Sequence, residues 1–326
     1  MANPPVDSTH LSDLNRAEMI DQYGGKVDSQ FAKKSIMRKF VDVQSVLGTD
    51  TLINRRIGKP DIQAITPGVR TPATTNTFGR ASVTVDTTLL VRENRGLLNE
   101  FQTDFNARAK MGIEHGKEMA KFFDNAMLTA ALKGSLAAAP TDQDAGNYNG
   151  AFNAGNNTTL ASAGDELDPT ALYEACAGIV TSMQLNDMDT DECALFVNPT
   201  QYDVLLNNDK LIDRDFSMDN GDFANGVWKS LKGVPVMTTN RMPQAVEAAH
   251  LLSNAGNGNA YNISATEARV VAQIVHPESV LAGETIPLQS DVFYDDVEKM
   301  WFIDTFAAYG AVFNLPEASG AVFHTV

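Results

Sequence analysis

The sequence predicts a mixed α+β fold in an unusual order. An N-terminal arm comes first, then a projecting two-stranded ribbon, one very long helix, an α/β layer and a set of closing strands. Three observations predict it. Apolar or small residues recur in steps of three and four from Gly96 to Lys133, period-two alternation brackets a Pro- and Gly-rich stretch between Phe40 and Val91, and short apolar strands alternate with helical segments over residues 167–243. With 326 residues, 43% of them hydrophobic, the chain can bury one large or two medium cores, which excludes global disorder.

Residues 1–50 lack a long periodic pattern and mix short apolar and polar groups around Tyr23-Gly24-Gly25 and Lys33-Lys34. They read as an arm that packs on another surface. From Phe40 to Ile57 the pattern turns strand-like through Val41, Val43, Val46, Leu52 and Ile53, and a second strand is expected over Ala81–Val91, where Val83, Val85, Thr87 and Leu89 alternate with polar or small neighbours. Between them, Pro60, Pro67, Gly68, Pro72 and Gly79 break both patterns, and Thr71, Thr74, Thr75 and Thr77 mark a tip. The stretch from Lys59 to Arg80 thus reads as a long, projecting two-stranded excursion, its strands expected to pair over Ile57–Ile65 and Ala81–Val91. A lone ribbon is marginally stable in water, so it should lie against another surface.

Residues 96–134 are the strongest element. Leu98, Phe101, Phe105, Ala109, Gly112, Gly116, Met119, Phe123, Ala126 and Ala130 keep one helical face, and at ~1.5 Å per residue the helix spans roughly 55 Å. Gly112 and Gly116 each cost about 1 kcal/mol relative to Ala; they either mark a close backbone approach or are tolerated in a well-packed helix. Glu114, Lys117 and Glu118 exclude a membrane role for this Gly-x-x-x-Gly. Residues 135–166, rich in Gly, Asn, Asp and Thr, read as a surface loop or β-excursion. Asp168-Pro169 opens a helix to about Met183, followed by the buried strand Cys193–Val197, a helix from Asn198-Pro199 to Leu206, and the strand Lys232–Thr238. Residues 167–243 therefore read as an α/β layer. In residues 264–326, strands are expected near Ala268–Val275, Ser290–Tyr294, Met300–Ala308 and Ala311–Phe313.

Motifs for catalysis are missing. The five histidines (His10, His115, His250, His276, His324) show no metal-ligand spacing, with His115 on the polar side of the long helix, and Cys176 and Cys193 sit in apolar runs as buried, inert thiols. No nucleophile elbow, Walker-type loop or dinucleotide fingerprint occurs. Asp187-Met-Asp189-Thr-Asp191 copies the start of a calcium loop, but Glu192 stands where glycine is needed and Asn198 where a bidentate Glu belongs. No enzyme activity, cofactor or metal is expected. The N-terminus has no basic region leading into an apolar core and no stretch approaches ~18 apolar residues, so a cytosolic, non-membrane chain is expected.

Charge is unevenly divided. The net −16 excludes a generic binder of nucleic acid, yet residues 1–140 carry 18 basic against 15 acidic residues and residues 141–326 carry 7 against 26. Residues 26–59 alone are net +5, through Lys26, Lys33, Lys34, Arg38, Lys39, Arg55, Arg56 and Lys59, and Arg70, Arg80, Arg92 and Arg95 continue the run. No aromatic residues interleave with them as base stacking would require. They form either a solvated face or segments that lie on the acidic part of neighbouring copies.

This order of parts, without a catalytic kit, resembles the HK97-like major capsid fold of tailed phages. The stretches Tyr23-Gly-Gly-Lys-Val-Asp-Ser-Gln-Phe-Ala, Ile57-Gly-Lys-Pro to Thr66-Pro-Gly, Leu195-Phe-Val-Asn-Pro-Thr-Gln-Tyr, Lys232-Gly-Val-Pro-Val and Ala308-Tyr-Gly-Ala-Val-Phe-Asn-Leu-Pro-Glu, with the long helix, are similar to capsid proteins of short-tailed phages of the autographivirus type. The resemblance covers about residues 20–326. It implies an N-arm (1–50), an extended loop (51–95), a peripheral-domain spine helix (96–134), a surface loop (135–166), an axial domain (167–263) and closing peripheral strands (264–326). It further implies self-assembly into hexamers and pentamers of an icosahedral shell around double-stranded DNA held without sequence specificity. The implied partners are a scaffolding protein, a portal protein and a cement protein, with assembly in the host bacterial cytoplasm and residence in the virion. Arg55, Arg56, Lys59, Arg70 and Arg80 are the candidate intersubunit contacts. Some relatives crosslink through a Lys of the extended loop and an Asn; Lys59 lies in that region, nothing marks its partner, and no crosslink is expected. A nanocompartment shell of the encapsulin type, of the same fold but without DNA, is the alternative.

Overall fold

The computed structural model describes residues 23–58, 62–73, 78–96, 107–139, 153–208, 221–222 and 227–325. The chain enters as helix α1 over 23–34, then the short helix α2 (Met37–Phe40) and strand β1 (Val43–Ser45). A turn at Gly48, whose φ of 77° suits glycine, leads into β2 (Thr51–Ile57), which pairs antiparallel with β3 (Phe78–Thr84). Strand β4 (Leu89–Gly96) and the 30-residue helix α3 (Ala107–Leu136) follow. The α/β part comprises β5 (Asn156–Thr159), α4 (Pro169–Leu185), β6 (Ala194–Val197), α5 (Pro199–Leu206), β7 (Gly221–Asp222), β8 (Val227–Trp228), β9 (Ser230–Leu231) and β10 (Val234–Thr238). Strands β11 (Val270–Val275), β12 (Val280–Asp295), β13 (Met300–Phe313) and β14 (Ser319–Phe323) close the chain.

Two larger sheets result. One has four strands in the order β1-β12-β13-β4, the other six in the order β5-β14-β11-β6-β10-β9; β2 and β3 stand apart as a ribbon. The α/β expectation holds for α4, β6, α5 and β10, each within a few residues. Asp168 caps α4 by accepting from the Thr170 N–H at 2.9 Å, with Pro169 at the first position.

Several expectations shift. The strand read over Ala81–Val91 is two strands in different sheets, because its alternation runs unbroken through the bend at 85–88. The ribbon pairs Thr51–Ile57 with Phe78–Thr84, placing Leu52 opposite Val83, rather than using Ile57–Ile65. The stretch Phe40–Ile57 likewise divides: Phe40 ends α2, and the Gly48 turn separates β1 from β2. The arm contains α1, whose short length and mixed faces hid its helical period. Gly96, expected to open the long helix, ends β4, and Leu98, Phe101 and Phe105 lie outside the described residues. Met300–Ala308 and Ala311–Phe313 are one strand, β13, since Tyr309-Gly310 continues its ladder against Gly283-Glu284. The closing segment 264–326 serves both sheets. Strands β11 and β14 join the sheet of β6 and β10, whereas β12 and β13 form the four-stranded one. Strand alternation carries no information on which sheet a strand joins.

Helix α3 packs against strands of both sheets, with Met119, Phe123, Ala126, Met127 and Ala130 in a core shared with Phe196, Val275, Tyr309 and Phe323. A second core joins Leu172, Cys176 and Val180 of α4 to Leu195, Ile274 and Val322. Burial pushes the Cys176 and Cys193 thiols up to about 12, so both stay protonated.

Gly112 and Gly116 face α1. A Cβ at Gly112 would stand 2.9 Å from the Tyr23 ring, and one at Gly116 would stand 2.6 Å from the Val27 carbonyl oxygen. Beside this notch Tyr23 Oη lies 2.5 Å from His115 Nδ1 and 2.5 Å from Thr305 Oγ1, while His115 Nε2 is 3.3 Å from Glu93 Oε2. Burial holds the Tyr23 hydroxyl well above its ordinary value. His115, expected on a polar face, is therefore buried under α1, a cover that its charged neighbours Glu114 and Lys117 did not reveal.

Two turns further, the buried Asp124 carboxylate accepts from Ser35 Oγ at 2.7 Å, the Ile36 N–H at 2.9 Å and the Met37 N–H at 3.0 Å, and pairs with the Arg241 guanidinium. Asp124→Asn keeps the size but leaves Arg241 without its counter-charge and turns amide hydrogens toward backbone donors. We expect a loss of about 3–5 kcal/mol, read as the urea midpoint of the dilute protein, with Glu114→Gln unchanged. A midpoint shift no larger than the control's would refute it.

Nearer the end of α3, burial alone would raise the Glu267 carboxyl, but Lys133 Nζ at 2.8 Å and the Ser264 N–H at 2.6 Å hold it below the usual carboxylate range. Its folded value lies below its unfolded one of ~4.3, so its stabilisation is complete above that pH and is lost as pH falls through the lower folded value. Glu267→Gln should therefore lose less Tm than the unsubstituted protein between pH 6 and pH 3, measured by calorimetry; equal losses would contradict the assignment.

Candidate functional site

The ribbon is the feature that reaches beyond the body of the protein. Alternation along β2 and β3 gives it two faces. On the inner face Ala81 and Val83 are buried against Leu281, with Leu52 and Val312 packed beside them. Gly310 permits this approach, since a Cβ there would stand 3.0 Å from Val83 Cγ2 and 3.1 Å from the Thr84 carbonyl oxygen, while Gly283 makes room for Val46 in the segment that leads into the ribbon, at 2.8 Å. Polar groups then fix the angle. Asn54 Nδ2 donates to Asn314 Oδ1 at 3.0 Å, the Arg56 guanidinium donates to the Asn314 carbonyl, and Asn314 Nδ2 donates to the Glu278 carbonyl at 3.1 Å.

The outer face carries Ile53, Arg55 and Ile57 from β2 and Phe78, Arg80 and Ser82 from β3. Ile53, Ile57 and Phe78 are 47%, 65% and 54% exposed. Arg55 and Arg80 are exposed and directly opposite in the ladder, an arrangement that repels unless an anion joins it. Beyond the ladder, Ile62, Ile65, Val69 and Arg70 are also exposed.

The structure thus brings together two of the five basic candidates, Arg55 and Arg80. Arg70 lies further out in 62–73, and Lys59 lies outside the described residues. Arg56, the fifth candidate, is turned inward by strand alternation and donates to the Asn314 carbonyl of its own chain, which anchors the ribbon.

At the ribbon's base a cleft of about 470 Å³ opens between β4 and α3, walled by Leu89, Leu90, Val91, Met119, Phe122 and Leu251. Beside it on β4, Arg92 makes a two-pronged pair with Asp304 at 2.8 and 2.6 Å, and its guanidinium lies 5.6 and 5.8 Å from the Phe293 and Phe302 ring centres. Hydrogen bonding to Asp304 holds the Arg92 guanidinium above its ordinary value. The sequence reading missed this pair, Asp124–Arg241 and Lys133–Glu267. In each, a charged residue interrupts an apolar stripe or strand, which is the one signal available.

Among the described residues no group of three or more His, Cys, Asp and Glu could hold a metal ion, and no helix is long and apolar enough to cross a membrane. Exposed apolar and cationic rows on a fixed, projecting ribbon are suited to contact with another macromolecule.

No family model and no curated protein matches the sequence. Solved structures do. The chain is similar to the mature capsid of bacteriophage PhiM1, with a TM-score of 0.75 and 24% identity over 89% of this chain and 87% of that one. The capsid of cyanophage P-SCSP1u gives a TM-score of 0.75 at 15% identity over 89% and 88%. A virus-like particle from Pyrococcus furiosus gives 0.51 at 12% identity over 93% and 98%. The fold of this chain is HK97-like.

Arg56→Ala and Asn314→Ala should each release the ribbon. Hydrogen exchange over residues 51–57 and 78–84 should quicken by about tenfold or more, equivalent to one net hydrogen bond of ~1.4 kcal/mol, while α3 keeps its protection. Equal protection of the ribbon in both variants would refute the anchoring role.

Proposed function

We propose that this chain is a non-enzymatic shell subunit, the major capsid protein of a tailed phage, which assembles with copies of itself around double-stranded DNA. The observation that carries the reading is the likeness to phage capsid chains over nine-tenths of the sequence. We assign α1, α2 and β1 to the arm, β2 and β3 to the extended loop, and α3 to the spine of a peripheral domain. Hexamers and pentamers, a scaffolding protein, a portal protein and a cement protein are the partners this reading carries. Assembly then takes place in the host bacterial cytoplasm. The short-tailed type is our reading from the stretches around Tyr23, Leu195 and Ala308. A nanocompartment without DNA has less support, since the likeness to the Pyrococcus particle is weaker than that to the two phage capsids.

Assembly in this reading works by shape and charge. The ribbon lies over an adjacent subunit, and Arg55, Arg70 and Arg80 meet carboxylates there. Each exposed pair contributes only ~0–1 kcal/mol, so affinity comes from repetition around a closed ring. Expression alone and together with a scaffolding protein, followed by electron microscopy, tests the shell itself. Arg70→Glu with Arg80→Glu should abolish shells while leaving soluble subunits, and normal shells from that double variant would refute the role of these residues.

A further inference from the structure

We infer that His250 is an acid-sensitive pin: a proton taken up by its imidazole frees the segment 248–262 from α3, and with it the bend beneath the ribbon. The device operates within a single subunit and does not depend on the shell reading. The segment is a closed loop, its ends held by the bridge between Glu247 and Ile263. Inside it the His250 ring lies between two others, stacked on Phe122 of α3 at 5.0 Å and on Tyr261 at 5.5 Å, each at 20°. Only 3% of His250 is exposed.

Hydrogen bonding fixes which form of the ring fits. Nδ1 accepts from the Leu252 N–H at 3.2 Å, so the hydrogen sits on Nε2, which is buried without a hydrogen-bond partner among the described residues. A second proton would have to enter at Nδ1, where it meets the Leu252 N–H donor to donor. It would also leave a buried charge with only ring faces and the through-space pull of Glu247 to offset it. The other charged groups around the ring are occupied elsewhere. Burial raises the Tyr261 hydroxyl to about 12, so it stays neutral, and Asp86 of the bend acts on Tyr261. On α3, Glu118 and Lys121 pair with each other at 2.5 Å on the exposed side, while Lys133 is taken by Glu267 at 2.8 Å and the Asn262 carbonyl at 2.7 Å. Burial accordingly holds the His250 imidazole below its ordinary value.

The same segment supports the root of the ribbon. Tyr261 Oη accepts from the Ala311 N–H at 2.5 Å, beside Gly310, where a Cβ would stand 3.1 Å from the Thr84 carbonyl oxygen and 3.6 Å from Tyr261 Oη. Asn254 Nδ2 donates to Thr87 Oγ1 at 3.4 Å, within the bend at 85–88. Releasing the His250 ring from Phe122 and Tyr261 therefore slackens support at the end of β3 and in the bend that follows it. In the released segment the imidazole takes its ordinary value of ~6.5. Above that pH neither form binds the proton and the segment stays docked. As pH falls below it the released form alone binds the proton, and docking weakens until the lower docked value is reached. One pH unit below ~6.5 raises the released population by up to about tenfold.

Hydrogen exchange of the full chain at pH 7.5 and 5.5, corrected for the intrinsic rate at each pH, tests this. Residues 248–262 and 84–88 should both exchange up to about tenfold faster at pH 5.5, while α4 keeps its protection. His250→Asn offers a side-chain oxygen that accepts from the Leu252 N–H but does not titrate, so it should remove the acid response. His276→Asn, at a buried imidazole that makes the same bond to the Glu278 N–H, should leave the response in place. Equal corrected rates at the two pH values, a response that survives in His250→Asn, or loosening of 248–262 without 84–88 would each overturn the pin. A second measurement uses the unsubstituted protein alone. Exchange of the imidazole C2 hydrogen, read by mass spectrometry, gives a titration midpoint for each histidine, and that of His250 should lie below ~6.5. A midpoint at or above that value would overturn the pin whether or not His250→Asn folds.

Discussion

The Asp124 carboxylate is the constraint on which the rest of the structure depends. It sits in the buried stripe of α3, and its charge is compensated by groups from two distant parts of the chain, the Ser35–Met37 turn and Arg241. A charge in such a place is tolerated only when every lone pair is used. Docking of the arm and closure of the segment after β10 are therefore coupled: either end released leaves the other facing an under-compensated ion. The same carboxylate fixes where α1 ends, which sets the register of Tyr23 and Val27 over Gly112 and Gly116. The glycine notch and the ion pair are thus two ends of one clamp along α3.

Around this clamp the fold separates rigid from projecting parts. Helix α3 is held on one side by α1 and on the other by strands of both sheets. The ribbon is held by one face and by Asn314 at its junction with β13, so its direction is set by the body while its outer face stays open. A two-stranded ribbon cannot hold a direction alone; Gly310 allows the contact that gives it one.

Much of this was legible in the sequence where periodicity is local. The apolar steps from Gly112 to Ala130 identified α3, and Asp168-Pro169 and Asn198-Pro199 marked helix starts to the residue. What failed to show was long-range. Nothing in Val83–Val91 signals that its two halves join different sheets, because alternation continues through the bend. Arg56 looked equivalent to Arg55 until the ladder placed them on opposite faces. His115 has polar neighbours in sequence and is buried only because α1, 92 residues away at Tyr23, lies over it. Asp124 and Arg241 are 117 residues apart, and no spacing rule pairs them.

The net charge of −16 follows a physical division once it is mapped onto these parts. Cations cluster on the arm, which lies along α3, and on the ribbon, which projects, while the residues after 140 carry most of the acid. Subunits of equal net charge repel at long range, so association needs local complementarity within a Debye length of ~8–10 Å. The ribbon carries Arg55 and Arg80 side by side on an exposed face, where such local charge is concentrated. Ion pairs of that kind weaken as salt rises, whereas apolar rows such as Ile57 and Phe78 do not. An interface that uses both is directed by charge and held by burial, so it persists in salt that would prevent its partners from finding one another.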